Sequence, residues 1–204
     1  MAGPSNKPKA FSTPGMPGNS PSQPGPSKLN NLPLQLTSFV GRRQEIAKLG
    51  KLLTTTNFLT LTGPGGVGKT RLSLEVAATV LDEFEDGAWL VDLAPLSDPQ
   101  LVTQEIVLAL GLREVSGRSK LAILSEHLQN RNLLLILDNC EHLVMACAEL
   151  AGQLLRVCPR LRILATSRET LGIGGETVWQ VSPLSIPDLQ RPPTLESGAS
   201  GACR

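Results

Sequence analysis

One stretch of the chain has the residue types and spacing to hold a polyphosphate: Gly63-Pro64-Gly65-Gly66-Val67-Gly68-Lys69-Thr70. It satisfies G-x-x-x-x-G-K-[ST] at every fixed position. Glycines let a backbone curl until several N–H groups face one anion. A helix starting at Lys69 would add the positive end of its dipole to that field. Lys69 is then expected to reach the β and γ phosphates, and Thr70 to offer its hydroxyl to Mg²⁺. Gly63, Gly65, Gly66, Val67, Gly68, Lys69, Thr70 and Arg71 are the nucleotide-binding candidates of this segment. The same stretch also contains G-x-G-x-x-G through Gly63, Gly65 and Gly68. In a dinucleotide-binding fold, Asp92 could then hold a ribose. That rival leaves Lys69 and Thr70 without a role.

A second constellation follows an aliphatic run. Leu133-Leu134-Leu135-Ile136-Leu137 leads into Asp138. Ligands of open α/β sheets bind outside the carboxyl ends of strands, so Asp138 is expected there, as a Mg²⁺ ligand together with Thr70. Asn139 occupies the place where a second acid would serve hydrolysis, and an amide cannot take a proton from water. Glu141 is the nearest acid that could act as a base. Its other reading is a turn residue favoured by the dipole of a following helix. Leu161-Arg162-Ile163-Leu164-Ala165-Thr166-Ser167-Arg168 is another strand with a polar end. Arg168 is expected either to contact a γ-phosphate or to form a surface ion pair with Glu169 or Glu176. Lys69, Asp138, Glu141 and Arg168 make up the catalytic candidates.

The elements that must position these groups can be read from periodicity. A helix is expected over 41–53, a strand over 58–62, and a helix over 69–84 that is apolar almost all round. A strand over 89–93 precedes Asp98-Pro99, an N-cap followed by a first-turn proline. That helix ends at Gly111. Further helices are expected over 119–129 and 142–157, and further strands over 133–137, 161–165 and 177–181. Strands buried on both faces and separated by helices imply an α/β fold: a parallel sheet of about five strands with helices on both faces.

Composition narrows the class. The chain has 204 residues, a net charge of +1 and 18% charged residues, which argues against a general nucleic-acid binder. No apolar run approaches the roughly 18–20 residues of a membrane span. Cys140, Cys147, Cys158 and Cys203 form no paired spacing of the kind zinc needs, and a reduced, cytoplasmic protein is expected. Half of the 16 prolines lie at or before Pro33, and no acid precedes Glu45. Residues 1–33 are therefore expected to be a disordered leader. Residues 34–187 are expected to be the nucleotide-binding domain, and 188–204 a disordered end.

The motifs in order carry a family resemblance. Leu36-Thr37-Ser38-Phe39-Val40-Gly41-Arg42 precedes the phosphate loop, Leu-Leu-Leu-Ile-Leu-Asp-Asn-Cys-Glu-His-Leu (133–143) and Ile-Leu-Ala-Thr-Ser-Arg-Glu-Thr-Leu-Gly-Ile-Gly-Gly-Glu (163–176). Over about residues 32–187 this resembles the P-loop NTPases of the STAND class (NB-ARC-like, AP-ATPase; ASCE/AAA+-like), nearest to AfsR- and LuxR-associated transcriptional regulators. The resemblance implies an ATP/ADP switch with Mg²⁺. It implies that Val40, Gly41 and Arg42 lie by the adenine and ribose, and that Arg168 senses the γ-phosphate. It further implies self-association or partner ATPase subunits. Direct nucleic-acid contact by this chain is not expected because no helix carries a clustered basic face, and membrane contact is not expected because no apolar run is long enough. Family members continue into a helical lid and a winged helix, and residues 188–204 carry neither, so the chain looks like the isolated core of a larger regulator. A small-molecule kinase and an inert truncated fragment are the competing readings. The kinase would need a lid arginine cluster, for which only Arg113, Arg118 and Lys120 are at hand.

Overall fold

The computed structural model describes residues 29–34 and 41–183. Val40, most of the expected leader and the expected disordered end lie outside the described residues. Five helices, α1 (Arg43–Thr55), α2 (Lys69–Val80), α3 (Val102–Ala109), α4 (Lys120–Leu128) and α5 (Val144–Val157), are interspersed with strands among the described residues. The strands are β1 (Phe58–Thr62), β2 (Ala88–Asp92), β3 (Leu134–Asp138), β4 (Arg162–Ser167) and β5 (Thr177–Gln180).

Local signals set several boundaries as the sequence implies. Asp98 accepts the Gln100 N–H at 2.9 Å ahead of Pro99, and Ser119 accepts the Ala122 N–H at 3.2 Å to open α4. Several boundaries differ from expectation by a few residues, and two helices change geometry at an end. α2 leaves α geometry after Val80 and closes with a 3₁₀ turn, Leu81–Glu83, which turns Phe84 into the core. The segment expected as one helix over 142–157 opens with a 3₁₀ turn, Cys140–His142, and α5 starts at Val144. A left-handed residue directly after β3, Asn139 (φ 63°, ψ 49°), forces that tight exit.

All strand pairs are parallel, in the order β2-β3-β4-β1-β5. β4 lies between the strand that feeds the phosphate loop and the strand that ends in Asp138. The order also disposes of the dinucleotide alternative. That fold sets its second strand beside its first, whereas here β3 and β4 separate β2 from β1, so Asp92 stands away from the loop.

Side chains alternate across the sheet with period two. Leu135, Leu137, Ile163 and Ala165 pack against α3, α4 and α5, while Leu59, Leu61, Leu134, Ile136 and Leu164 pack against α1 and α2. Each face is therefore sealed, and only the strand ends are left to carry polar chemistry. Fully burying a leucine contributes about 1.5–3 kcal/mol, so these two layers hold the strand ends rigidly.

The edge strand β2 has its own cover. The Asn31 side chain accepts the Leu90 N–H at 2.6 Å and donates to the Leu90 carbonyl at 2.9 Å, as a neighbouring peptide group would. Ala88 N–H also reaches the Leu29 carbonyl at 3.3 Å. Residues 29–33 of the expected leader thus lie along the sheet edge, because one side-chain amide can satisfy both backbone groups of an unpaired strand residue.

Candidate nucleotide site

The loop 63–68 joins β1 to α2 at the carboxyl edge of the sheet. Its glycines are used for shape. A Cβ on Gly63 (φ 147°) would stand 2.9 Å from the Val181 carbonyl oxygen. Gly68 (φ 90°) takes the left-handed conformation that turns the loop into the helix. No side chain caps the N-terminus of α2, so its first N–H groups face outward for an anion. Lys69 is 8% exposed, and its ammonium donates to the Gly63 carbonyl at 2.9 Å and the Pro64 carbonyl at 3.1 Å. The charge is thereby held at the centre of the loop. Gly65, Gly66, Gly68, Lys69, Thr70 and Arg71 line one cavity of about 470 Å³ with Asn139, Glu141 and Arg168. The sequence motif and the two strand-end motifs therefore meet in space.

Asp138 is buried at the end of β3. The Thr166 hydroxyl donates to its Oδ1 at 2.6 Å, and the Asn139 amide donates to its Oδ2 at 3.0 Å. Burial pushes the Asp138 carboxyl up from its ordinary value, and the nearby Asp92 and Glu141 carboxylates push the same way. Hydrogen bonds from Thr166 and Thr70 oppose that shift. Thr70 and Asp138 therefore lie close together. Their hard oxygen atoms, a hydroxyl and a carboxylate, suit Mg²⁺.

Arg168 pairs with Glu141, Nε to Oε1 at 3.2 Å, and not with Glu169 or Glu176. Glu176 instead accepts the backbone N–H groups of Leu171, Gly172 and Ile173. The Arg168 guanidinium leans over the loop, 3.7 Å from where a Gly65 Cβ would sit. The second Glu141 oxygen, Oε2, is buried and accepts no hydrogen bond among the described residues.

Arg42 is also brought to the loop, by a different route. Its Nη2 donates to the Val67 carbonyl at 3.1 Å and to the Ser182 carbonyl at 2.8 Å. The side chain therefore ties the loop to the segment after β5. Gly41 and Arg42 line a second cavity, of about 600 Å³, with Glu45, Trp179, Gln180 and Ser182. The Trp179 indole donates to Glu45 there at 2.9 Å. Two of the three cations of a would-be kinase lid are spent on the surface: Arg118 pairs with Glu126 at 2.7 Å and Lys120 with Glu114 at 3.5 Å.

Thr166 was not singled out in the sequence, and Asp92 and Asn139 were noted there for other roles. All three matter because β2, β3 and β4 are neighbours, which the strand order decides. The one available signal for Thr166 was a hydroxyl residue near the end of an aliphatic strand.

Comparisons with known proteins agree with this architecture. The AAA domain profile matches residues 52–171. An uncharacterised protein of Mycobacterium tuberculosis is 46% identical over 151 residues, covering 74% of this chain and 38% of that protein. A protein of the same organism named as an HTH-type transcriptional regulator is 47% identical over 137 residues, covering 67% of this chain and 15% of the other. The regulatory protein AfsR of Streptomyces griseus is 31% identical over 150 residues, again 67% of this chain and 15% of the relative. The chain thus spans well under half the length of the relatives it matches. Among solved structures, Cdc6p from Pyrobaculum aerophilum superposes with a TM-score of 0.54 at 23% identity, over 74% of this chain and 47% of that one. Drosophila ORC bound to DNA gives 0.57 at 15% identity, over 70% and 43%. At such identities the likeness is one of fold alone. The profile match runs through the phosphate loop, the Asp138 strand and Arg168, and the chain belongs to the AAA domain family.

Proposed function

We propose that this chain is the ATP/ADP-binding switch module of a STAND-type (NB-ARC-like) transcriptional regulator, with slow or partner-dependent ATP hydrolysis. The observation that carries the reading is the convergence of Lys69, Thr70 and Arg168 on one cavity at an uncapped helix N-terminus, with Asp138 beside Thr70. Lys69 and the loop N–H groups hold the β and γ phosphates. Mg²⁺ held by Thr70 and Asp138 supplies neutralisation of phosphate charge. Arg168 exchanges its pair with Glu141 for the γ-phosphate, which ATP has and ADP lacks. The cavity of Gly41, Arg42 and Trp179 takes the base and ribose, with Val40 beside it. The regulatory role is supported by the names of the relatives, an HTH-type regulator and AfsR. In such a regulator the module works in the cytoplasm and assembles with further copies or partner ATPase subunits.

The test is a titration with ATP and ADP, in Mg²⁺ and then in EDTA. Tight binding that needs Mg²⁺, lost in Lys69→Ala, is the expected outcome. An ATP preference that disappears in Arg168→Ala assigns the sensing role. Unchanged affinity in Lys69→Ala would sink the assignment.

A further inference from the structure

We infer that Asn139 orients the water that attacks the γ-phosphate, and that Asp92 is the positioning residue that fixes which way the Asn139 amide faces. The inference rests on the ATP reading above and deepens it.

The starting point is where Asn139 stands. It follows β3 directly, in a left-handed conformation that asparagine tolerates. Its own N–H is held by the Thr166 hydroxyl at 3.0 Å. Its side chain lines the phosphate cavity together with Lys69, Thr70 and Arg168. The amide nitrogen donates to Asp138 Oδ2 at 3.0 Å and to Asp92 Oδ1 at 3.2 Å. Both amide hydrogens are thereby committed to carboxylates.

The orientation of that amide follows from chemistry. Carboxylates accept hydrogen bonds and repel an amide oxygen, so the NH₂ end must face them. Asp92 is itself fixed. It lies opposite Asp138 in the β2–β3 register, and its Oδ1 accepts the Ala94 N–H at 3.0 Å. Asn139 Oδ1 is left as an acceptor without a partner among the described residues. Glu141 lines the same cavity and is released when Arg168 turns to the γ-phosphate, so it is the rival that the test must separate from Asn139.

A neutral acceptor is sufficient for this reaction. The transition state of phosphoryl transfer is loose, and a side-chain amide that orients the attacking water can serve it. The water oxygen bonds to the γ-phosphorus. The bond from that phosphorus to the bridging oxygen breaks, and its electron pair leaves with ADP. The proton of the water departs on the product phosphate. Asn139 holds the water and takes no proton, which suits a slow switch.

Steady-state ATP hydrolysis by the full chain tests this, with binding titrations alongside. Asn139→Gly is the informative variant, since glycine keeps the left-handed backbone, and a thermal melt checks its folding. Its kcat should fall at least about tenfold with KM for MgATP within about threefold. Asp92→Ala should lower kcat less, and should lower it no further in the Asn139→Gly background. An unchanged kcat in Asn139→Gly overturns the inference. So does an Asp92→Ala loss that persists in that background, or a loss of hydrolysis confined to Glu141→Gln. Wild-type protein that binds MgATP without hydrolysing it overturns this inference and leaves the nucleotide reading standing. A folded wild type that binds no nucleotide overturns both.

Discussion

Thr166 donates its hydroxyl hydrogen to Asp138 across 2.6 Å, from the end of β4 to the end of β3. The same oxygen accepts the N–H of Asn139 at 3.0 Å. One hydroxyl therefore fixes the carboxylate of the proposed Mg²⁺ site and the turn that follows it. Both partners are buried or nearly so, and water cannot replace the bond cheaply.

Thr166→Val keeps the shape and removes both bonds. Leaving a buried acceptor unpaired costs about 1–3 kcal/mol. The melting temperature should fall accordingly, and Mg²⁺-dependent nucleotide binding should weaken more than binding in EDTA. Thr166→Ser should restore most of both. A valine variant with unchanged melting and unchanged Mg²⁺ dependence would show that Asp138 is positioned by other contacts.

The raised Asp138 carboxyl gives a pH prediction. Its ordinary value is 3.8, and burial moves the folded-state value upward. The folded chain then binds that proton more tightly than the unfolded chain does. Between the two values, acidification favours the folded state and rising pH removes the benefit. Asp138→Asn lacks this titration. The difference in melting temperature, wild type minus variant, should therefore shift in favour of wild type as pH falls from 7 towards 4. A difference that stays flat over this range would mean that Asp138 titrates alike in both states.

Much of this was legible in the sequence, for definite reasons. The phosphate loop carries its fold in local terms, since glycines, one lysine and one threonine need only a strand before and a helix after. Aliphatic runs marked β1, β3 and β4 because both sheet faces are covered. Asp138, Glu141 and Arg168 were visible as polar residues at the ends of those runs, and Glu141 and Arg168 line one cavity with the loop. What could not be read was adjacency. Arg168 pairs with Glu141 because β4 lies beside β3, and Asp92 meets Asn139 because β2 lies on its other side. Strand order is a property of the packed sheet, and no single strand encodes it. The capping of β2 by Asn31 was hidden for a related reason: the Asn30-Asn31 pair after a Pro- and Ser-rich stretch looks like solvated chain until the edge it covers is known.

That cap is itself testable. Asn31 supplies both an acceptor and a donor to Leu90, in the place a further strand would occupy. Each such bond contributes about 0.5–1.5 kcal/mol net, so Asn31→Ala should destabilise the domain by about 1–3 kcal/mol. The Leu90 amide should then exchange its hydrogen faster than in wild type, while amides of the central strand β4 exchange unchanged relative to global stability. An exposed strand edge also invites pairing with a second chain, so the variant should self-associate more readily on concentration. Hydrogen exchange resolved to β2, with sedimentation on the same samples, separates the two effects. Unaltered Leu90 exchange would mean that residues 29–34 leave the edge open in solution.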